Sequence, residues 1–194
     1  MAAEQTWTNF AGDQRCTPRR FERPTTTGEL AELVSSASAA GETVRVAAGG
    51  HSFNDSVLTD GTLISLERLD SVIDVDSDSG LVRCQAGATL GQLSDAMHAH
   101  GLAFANMGDI DVQSIAGATA TGTHGTGLSL PNLSASLHSI ELTLADGSVS
   151  EVSEQSDPEA WRAARVSLGA LGVVSAVTIQ AVPAYTLSAV DTMP

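Results

Sequence analysis

The sequence predicts an α+β domain made of two small α/β subdomains, one over about residues 1–75 and the other over about 76–185. Short apolar runs of strand length alternate along the chain with segments of helical periodicity. The 194 residues are enough for one substantial core, and 42% of them are hydrophobic, as is usual in globular domains. Glycine-rich loops follow several of the apolar runs, and we expect these loops to lie between the two subdomains.

The first subdomain is expected to contain one helix and several strands. Thr26 or Thr27 offers an N-cap hydroxyl, apolar side chains follow at helical spacing, and Gly41 is expected to end the helix. Short apolar runs predict strands over residues 44–47, 63–66 and 72–75. The polar turn 76–80 then leads into a strand over 81–86. We therefore expect a hairpin at this point, with the subdomain boundary near its turn.

The second subdomain is expected to contain two further helices. One begins at Thr89 and ends near Gly101, and the other begins at Asp157, whose neighbour Pro158 suits the first helical position. The dipeptide Asp146-Gly147 predicts a tight hairpin turn. Strands are predicted over residues 140–144, 149–152 and 173–182, the last closed by Pro183.

The charge of the chain excludes several classes of partner. All nine basic residues are arginines, and 23 acidic residues bring the formal net charge to −14. A chain without lysine cannot contain a Walker-type phosphate loop, and an acidic surface does not bind nucleic acid or anionic membrane. No apolar run is long enough to span a bilayer, and the first residues do not resemble a signal peptide. We expect a cytoplasmic protein with no nucleic-acid partner and no membrane span.

Metal and hydrolase chemistry find no support in the sequence. Cys16 and Cys84 have no partners at metal-ligand spacing, and His98 and His100 would point in different directions from one helix. No serine lies in a Gly-x-Ser-x-Gly elbow. No metal site is predicted.

The strand over 44–47 leads into small residues and one histidine, in the run Ala47-Ala48-Gly49-Gly50-His51-Ser52-Phe53. Backbone N–H groups in such a turn can converge on a phosphate. Two more runs rich in glycine follow at 117–127 and 168–174. Three such segments suggest one extended ligand, and a dinucleotide with its pyrophosphate would fit. The glycine spacing is not that of the Rossmann fingerprint, which disfavours a nicotinamide dehydrogenase.

Four motifs follow one another along the chain: Gly-Gly-His-Ser at 49–52, Asn-Met-Gly-Asp at 106–109, Thr-Gly-Thr-His-Gly-Thr-Gly at 121–127 and Ser-Leu-Gly-Ala-Leu-Gly-Val-Val at 167–174. In this order they resemble the PCMH-type FAD-binding domain of the vanillyl-alcohol oxidase superfamily. Within it the chain is most similar to the oxidases and dehydrogenases of sugar-1,4-lactones, such as gulonolactone and arabinonolactone, and then to alditol oxidase. The resemblance runs from about Trp7 to about Tyr185 and implies that the cofactor lies between the two subdomains.

The resemblance also implies which residues bind FAD. His51 matches the histidine that is bonded to the flavin in some relatives, although other lactone dehydrogenases have a different residue and no bond; only a neutral imidazole nitrogen has the required lone pair. A histidine in a turn is otherwise most often a plain hydrogen-bonding residue. The other cofactor-binding residues that the resemblance implies are Ala47, Ala48, Gly49, Gly50, Ser52, Phe53, Gly108, Asp109, Ser114, Gly117, Thr121, Gly122, Thr123, His124 and Val174.

For several of these residues a structural role stays open. The run 117–127 could equally be a tightly packed helix. For His124, a structural role is at least as well supported as a role in cofactor binding. Gly108 matches the position beside the reactive edge of the flavin, where a residue without a Cβ leaves room for dioxygen; glycine there permits an oxidase without establishing one. Asp109 replaces a serine of alditol oxidase, which favours a lactone over an open-chain polyol. No catalytic residue is assigned in this chain.

Relatives of this kind have a second, C-terminal domain that covers the flavin and bears a His-Trp-x-Lys motif, which this sequence lacks. We therefore expect the cofactor-binding part of a sugar-lactone oxidase or dehydrogenase, in which the flavin takes a hydride from the lactone. A fragment of an alditol oxidase-like enzyme, a stand-alone flavin module that serves a separate subunit, and a degenerate remnant that binds no cofactor are the alternatives. A lactone or polyol substrate would bind only when the second domain is present. Without that domain, the face of this chain that it would cover is expected to contact a second copy or a partner subunit. Substrate and electron acceptor are not determined by the sequence.

Overall fold

The structure, a computed structural model, describes residues 5–188 and 190. The helices in this part are α1 (Thr27–Ala39), α2 (Leu90–Ala99), α3 (Ile115–Ala120) and α4 (Pro158–Ala164). The strands are β1 (Trp7–Thr8), β2 (Arg15–Cys16), β3 (Arg20–Glu22), β4 (Val44–Ala47), β5 (Thr62–Ser65), β6 (Val72–Asp76), β7 (Leu81–Gln85), β8 (Leu102–Ala103), β9 (Leu137–Thr143), β10 (Val149–Ser153), β11 (Val173–Gln180) and β12 (Val182–Pro183).

The first unit is a three-stranded parallel sheet in the order β3-β5-β4, with α1 packed beside it. Helix α1 begins at the N-cap Thr26, whose hydroxyl accepts a hydrogen bond from the Glu29 N–H at 3.1 Å. Its buried residues Leu30 and Val34 pack in one apolar cluster with Ile64 and Leu66. This packing presents the end of β4, and the loop that follows it, to one edge of the unit.

The second unit is a five-stranded antiparallel sheet in the order β10-β9-β11-β7-β6. Helices α2 and α4 cover one face through Leu93, Met97 and Trp161, which are buried in the larger core cluster. Helix α2 begins with a capping box between Thr89 and Gln92. Burial of these side chains supplies most of the stabilisation of this sheet, since apolar burial is the dominant favourable contribution to folding.

The two units join where the chain after β7 crosses the end of β5. A Cβ at Gly87 would lie 2.0 Å from the carbonyl oxygen of Leu66 and 2.7 Å from that of Leu69, so only glycine fits. Ala116 and Val173, from the second half of the chain, lie in the apolar cluster of the first unit. The joint is therefore packed and brings α3 and the start of β11 against the first unit.

The predicted elements are largely confirmed; two predictions are corrected, and one of two open alternatives is resolved. The hairpin at Asp76 does not divide the units, because β6 and β7 pair within one sheet and the change of sheet comes earlier, between Ser65 and Val72; a turn signal shows where a chain reverses but not which sheet it leaves. The strand expected over 173–182 is two strands, because β11 ends at Gln180 and β12 pairs with β8 in another sheet. Part of the run 117–127 is helical, in α3.

Two further properties bear on function. No helix in the described part is long and apolar enough to cross a bilayer. Cys84 is buried, and this burial raises the pKa of its thiol to about 12, so the thiol stays protonated and unreactive at neutral pH.

A charged network ties the three strands β7, β9 and β10 together on the other face of the larger sheet. Arg83 in β7 donates to Glu141 at 2.6 Å and to Glu151 at 3.0 Å. The Ser139 hydroxyl donates to Glu151 at 2.5 Å, and this bond, with the nearby Arg83, holds the pKa of Glu151 below its ordinary value. The ionised form of Glu151 is therefore favoured in the folded protein.

We expect Glu151→Gln to lower the free energy of unfolding at neutral pH by less than about 1 kcal/mol, because the Glu151 side chain is half exposed and its ion pair is screened. A carboxyl group whose folded pKa is lowered stabilises above its unfolded pKa, and this stabilisation is lost as the pH falls through the folded pKa. Urea unfolding of both proteins from about pH 7 to about pH 3 should show the difference shrinking toward zero. Glu154→Gln, at an exposed site, is the control; a difference that persists at acid pH would contradict the account.

Candidate functional site

A cavity of about 600 Å³ lies at the joint of the two units, within the size range of small-molecule and cofactor sites. All three glycine-rich segments contribute to its wall, together with the end of α1 and residues of β4 and β9. The fold thus brings together segments that are about 120 residues apart in sequence.

The loop after β4 is held between two other segments. Gly49 packs on the backbone of residues 112–114, where a Cβ would lie 3.2 Å from the Ser114 nitrogen. On the other side, the Phe10 N–H donates to the Gly50 carbonyl at 3.1 Å, and the Asn9 amide donates to the Ser52 carbonyl at 3.0 Å. The carbonyls of the loop thus face the N-terminal segment. None of the N–H groups of residues 49–52 donates to another residue in the described part.

His51 lies in the cavity wall at the end of this loop. Its ring stacks on Phe10 with centroids 4.7 Å apart, and Phe53 meets Phe10 edge-on at 5.1 Å. The Nδ1 atom of His51 is buried and has no hydrogen-bond partner in the described part. Stacking therefore fixes the imidazole without using its nitrogen atoms.

The second segment forms the opposite wall through α3 and the residues before it. The Ser114 hydroxyl accepts from the Gly117 N–H at 3.2 Å and caps α3. Gly117 faces Ala48 of the first loop, and a Cβ there would lie 3.5 Å from the Ala48 Cβ. Thr121 ends the helix and donates its hydroxyl to the Gly117 carbonyl at 3.0 Å. Small residues on both segments let their backbones approach the cavity.

The third segment, before β11, adopts a strained turn at the cavity. Leu168 has φ +52°, and Gly169 follows with φ +77°. The Ala170 N–H donates to the Ser167 carbonyl at 2.9 Å, which closes the turn. A left-handed conformation costs a residue such as leucine about 1–2 kcal/mol, so the surrounding structure must impose it.

Unpaired polar atoms are concentrated at the cavity. Five buried side-chain nitrogen or oxygen atoms in residues 5–188 and 190 have no hydrogen-bond partner. Three belong to residues of the cavity wall, namely His51 Nδ1, Gln113 Oε1 and Thr143 Oγ1. Each costs about 1–3 kcal/mol when left unpaired, so the cavity is suited to a ligand with hydrogen-bonding groups of its own.

The structure divides the predicted site residues into two groups. Those in the cavity wall are Ala48, Gly49, Gly50, His51, Ser52, Ser114, Gly117, Thr121 and Val174. Those outside the wall are Ala47, Phe53, Gly108, Asp109, Gly122, Thr123 and His124. Gly108 packs on the neighbouring segment, where a Cβ would lie 3.4 Å from Thr123 Cγ2 and 3.5 Å from the His124 carbonyl oxygen. His124 Nδ1 lies 2.9 Å from the carbonyl oxygen of Gly125.

Several wall residues were not predicted. Trp7, Gln113 and Thr143 line the cavity, although no motif marks them. The segment 168–173 also lines the cavity. Its glycines could have indicated this from the sequence, but only Val174 of that run was predicted to bind the cofactor. No group of three or more His, Cys, Asp or Glu side chains that could hold a metal ion occurs among the described residues.

Comparisons with known proteins bear on this site. A model of the FAD binding domain family matches residues 18–153. L-Gulono-1,4-lactone dehydrogenase of Mycobacterium tuberculosis is 48% identical over 181 residues, which are 93% of this chain and 42% of that protein. Alditol oxidase of a Streptomyces species is 41% identical over 92% of this chain and 42% of its own length. L-Gulonolactone oxidase of Mus musculus is 37% identical over 92% of this chain and 41% of its own length.

A crystal structure of 6-hydroxy-D-nicotine oxidase from Arthrobacter nicotinovorans superimposes with a TM-score of 0.78, covering 94% of this chain and 43% of that one. At 23% identity this likeness concerns the fold alone, and it confirms the expected α+β architecture.

The resemblance expected from the order of the four motifs is confirmed. The chain spans about two fifths of the length of the curated relatives it matches. Its family match covers most of the residues between β2 and α4, including the loop after β4 and all of α3. The chain belongs to the FAD binding domain family and is related to sugar-lactone oxidases and dehydrogenases and to alditol oxidase.

Proposed function

We propose that this chain is the FAD-binding part of an oxidoreductase that acts on a CH–OH group of a sugar-1,4-lactone, with FAD bonded to His51. One observation supports this most directly: the loop over 49–52 combines four unbonded N–H groups with an imidazole whose buried Nδ1 has no partner. The relatives named as gulonolactone dehydrogenase and gulonolactone oxidase support a sugar lactone as the substrate.

The residues of the cavity fit a dinucleotide. The N–H groups of residues 49–52 can donate to a pyrophosphate, and the small side chains at Ala48 and Gly117 leave space beside them. Backbone dipoles attract an anion locally, so the net charge of −14 does not prevent binding at this loop. The unpaired side-chain atoms of Gln113 and Thr143 can bond to hydroxyl or N–H groups of the same ligand.

The position of His51 suits covalent attachment. Attachment would form a C–N bond between an imidazole nitrogen of His51 and the 8α-methyl carbon of the isoalloxazine. The imidazole and the methyl group would each give up one proton, and dioxygen would take these two protons and the two electrons of the broken C–H bond to become hydrogen peroxide. The stack on Phe10 restricts the rotation of the imidazole, which lowers the entropic cost of bringing the two atoms together.

We expect the chain, expressed with riboflavin available, to stay yellow and fluorescent after acid precipitation, because a covalent bond survives unfolding. His51→Ala should release its flavin to the supernatant, since binding would then rest on noncovalent contacts alone. His138→Ala, at an exposed position of β9 outside the cavity wall, is the matched control and should keep its flavin in the pellet. A colourless wild-type pellet from a yellow holoprotein would show that the flavin is bound without a bond to His51.

When bound, the flavin would accept a hydride from the substrate carbon. The resemblance would place Gly108 beside the reactive edge, although in this structure Gly108 packs on residues 123 and 124 outside the cavity wall. The groups that bind the lactone and remove its proton would come from outside these residues. The relatives are more than twice as long as the chain, which is consistent with a second domain that provides those groups.

We expect the flavin-loaded chain by itself to show no turnover of gulono-, galactono- or arabinono-1,4-lactone with an artificial dye as acceptor. A flavin without positioned binding and base groups lacks the orientation on which enzymatic rates depend. The control is the same dye assay with chemically reduced chain, which establishes that the bound flavin can pass electrons to the dye. Turnover at about one per second would contradict this expectation.

A second candidate is a flavin module that serves a separately encoded catalytic subunit, or the FAD-binding part of an alditol oxidase-like enzyme. The limited span of the chain against its relatives is compatible with both. The gene sequence that follows the codon for Pro194 separates a module from part of a longer polypeptide.

We propose the cytoplasm as the location of the protein; a membrane or secreted fraction containing the protein would contradict this.

Apolar side chains near the cavity lead us to propose contact with a second copy of the chain. Phe10, Phe53 and Leu168 are 55%, 66% and 61% exposed, and all three lie beside or in the wall. Repulsion between chains of charge −14 opposes this contact, and salt screens that repulsion over about 8 Å at physiological ionic strength.

We therefore expect the weight-average mass in sedimentation equilibrium to rise with salt, and Phe53→Ser to reduce the rise. Val149→Ser, at an exposed strand position outside the wall, is the control. A monomer at low and high salt alike would refute the contact.

A further inference from the structure

Gln113 is held firmly at the cavity by its backbone, while its side-chain amide has no partner. The Leu90 N–H donates to the Gln113 carbonyl at 2.9 Å, at the start of α2. The opposite side of its backbone packs on Gly49, where a Cβ would lie 3.4 Å from the Gln113 Cα. The amide makes no hydrogen bond within the described part, and its Oε1 is buried.

An unpaired amide in a cavity wall needs a physical reason. A glutamine can donate two hydrogen bonds and accept two, and burying it without partners destabilises the free protein. A methionine of similar size would fill the same space without this cost. The amide therefore suits a ligand whose own donor reaches Oε1.

We infer that Gln113 is a positioning residue for the flavin half of the dinucleotide, hydrogen-bonding to a hydroxyl or N–H group at that end. This inference rests on the proposed function, because it takes His51 as the point where the flavin is attached. Gln113 packs on Gly49, at the start of the loop that runs from the N–H groups proposed for the pyrophosphate to His51. The ligand atoms nearest to Gln113 would then belong to the half between the pyrophosphate and the ring that His51 holds. The adenosine half, on the other side of the pyrophosphate, would then lie farther from His51.

The test compares two identical substitutions at half-buried glutamines. Gln113→Met removes an amide with no partner in the protein. Gln85→Met removes an amide whose Oε1 accepts from the Ser71 N–H at 3.0 Å, and Gln85 lies outside the cavity wall. Gln113→Ala is a second variant in case methionine does not fit. Each protein is prepared without flavin, and its urea midpoint is measured together with its affinity for two probes.

The probes are ADP and an FAD analogue without the 8-methyl group. The analogue cannot form the bond to His51, so its affinity is measured at equilibrium in the unaltered chain. We expect Gln113→Met to lower the affinity for the analogue by about threefold to tenfold, which is the effect of losing one neutral hydrogen bond. The affinity for ADP and the urea midpoint should not be reduced. Gln85→Met should lower the urea midpoint and leave both affinities unchanged.

The outcomes separate this inference from the proposed function. If the wild-type chain binds neither probe, the proposed function is wrong. If it binds both and Gln113→Met and Gln113→Ala leave the analogue's affinity unchanged, Gln113 does not position the flavin. An equal loss for ADP and the analogue would place the contact on the adenosine half and would also overturn the inference.

Discussion

The close crossing of backbones at Gly87 is the constraint on which the site depends. The Gly87 N–H donates to the Leu69 carbonyl at 2.7 Å, and a Cβ at Gly87 would overlap the Leu66 carbonyl oxygen. From this joint, the Ala116 N–H donates to the Ala86 carbonyl at 3.1 Å, which anchors the start of α3 beside the first unit. A larger residue at 87 would push the units apart, and the cavity between them would lose the wall that α3 provides.

The chemistry of the cavity follows from this joint because small residues of three distant segments meet in its wall. The chain carries a net charge of −14, yet the N–H groups of residues 49–52 make no hydrogen bond within the described part and can donate to an anion. Short side chains on three segments let those groups approach closely. The buried polar atoms of His51, Gln113 and Thr143 have no hydrogen-bond partner within the described part of the chain. FAD, for which the family is named, has donors and acceptors that can pair with such atoms.

Much of the fold was predictable because local signals and tertiary structure agree. Thr26, Thr89 and Asp157 cap their helices as expected, and the Asp146-Gly147 turn joins β9 to β10. The subdomain boundary was misplaced at Asp76 because a hairpin turn and a domain boundary share the same polar composition. The loop at 49–52 could be found from its glycines. Gln113 and Thr143 could not, because a glutamine before a helix and a threonine at a strand end have many ordinary roles.

The sequence by itself determined three of the four α-helices, the longer strands, the family and the glycine-rich positions, because capping residues, apolar periodicity and glycine act through neighbouring residues. Only the tertiary structure decided which of those positions share one cavity. His124 belongs to the same motif as Thr121, yet it packs outside the cavity wall, as does Gly108 of the motif over 106–109. The reason is physical: whether an atom is buried, paired or open to a ligand depends on segments distant in sequence, and the stack of Phe10 on His51 joins residues 41 positions apart.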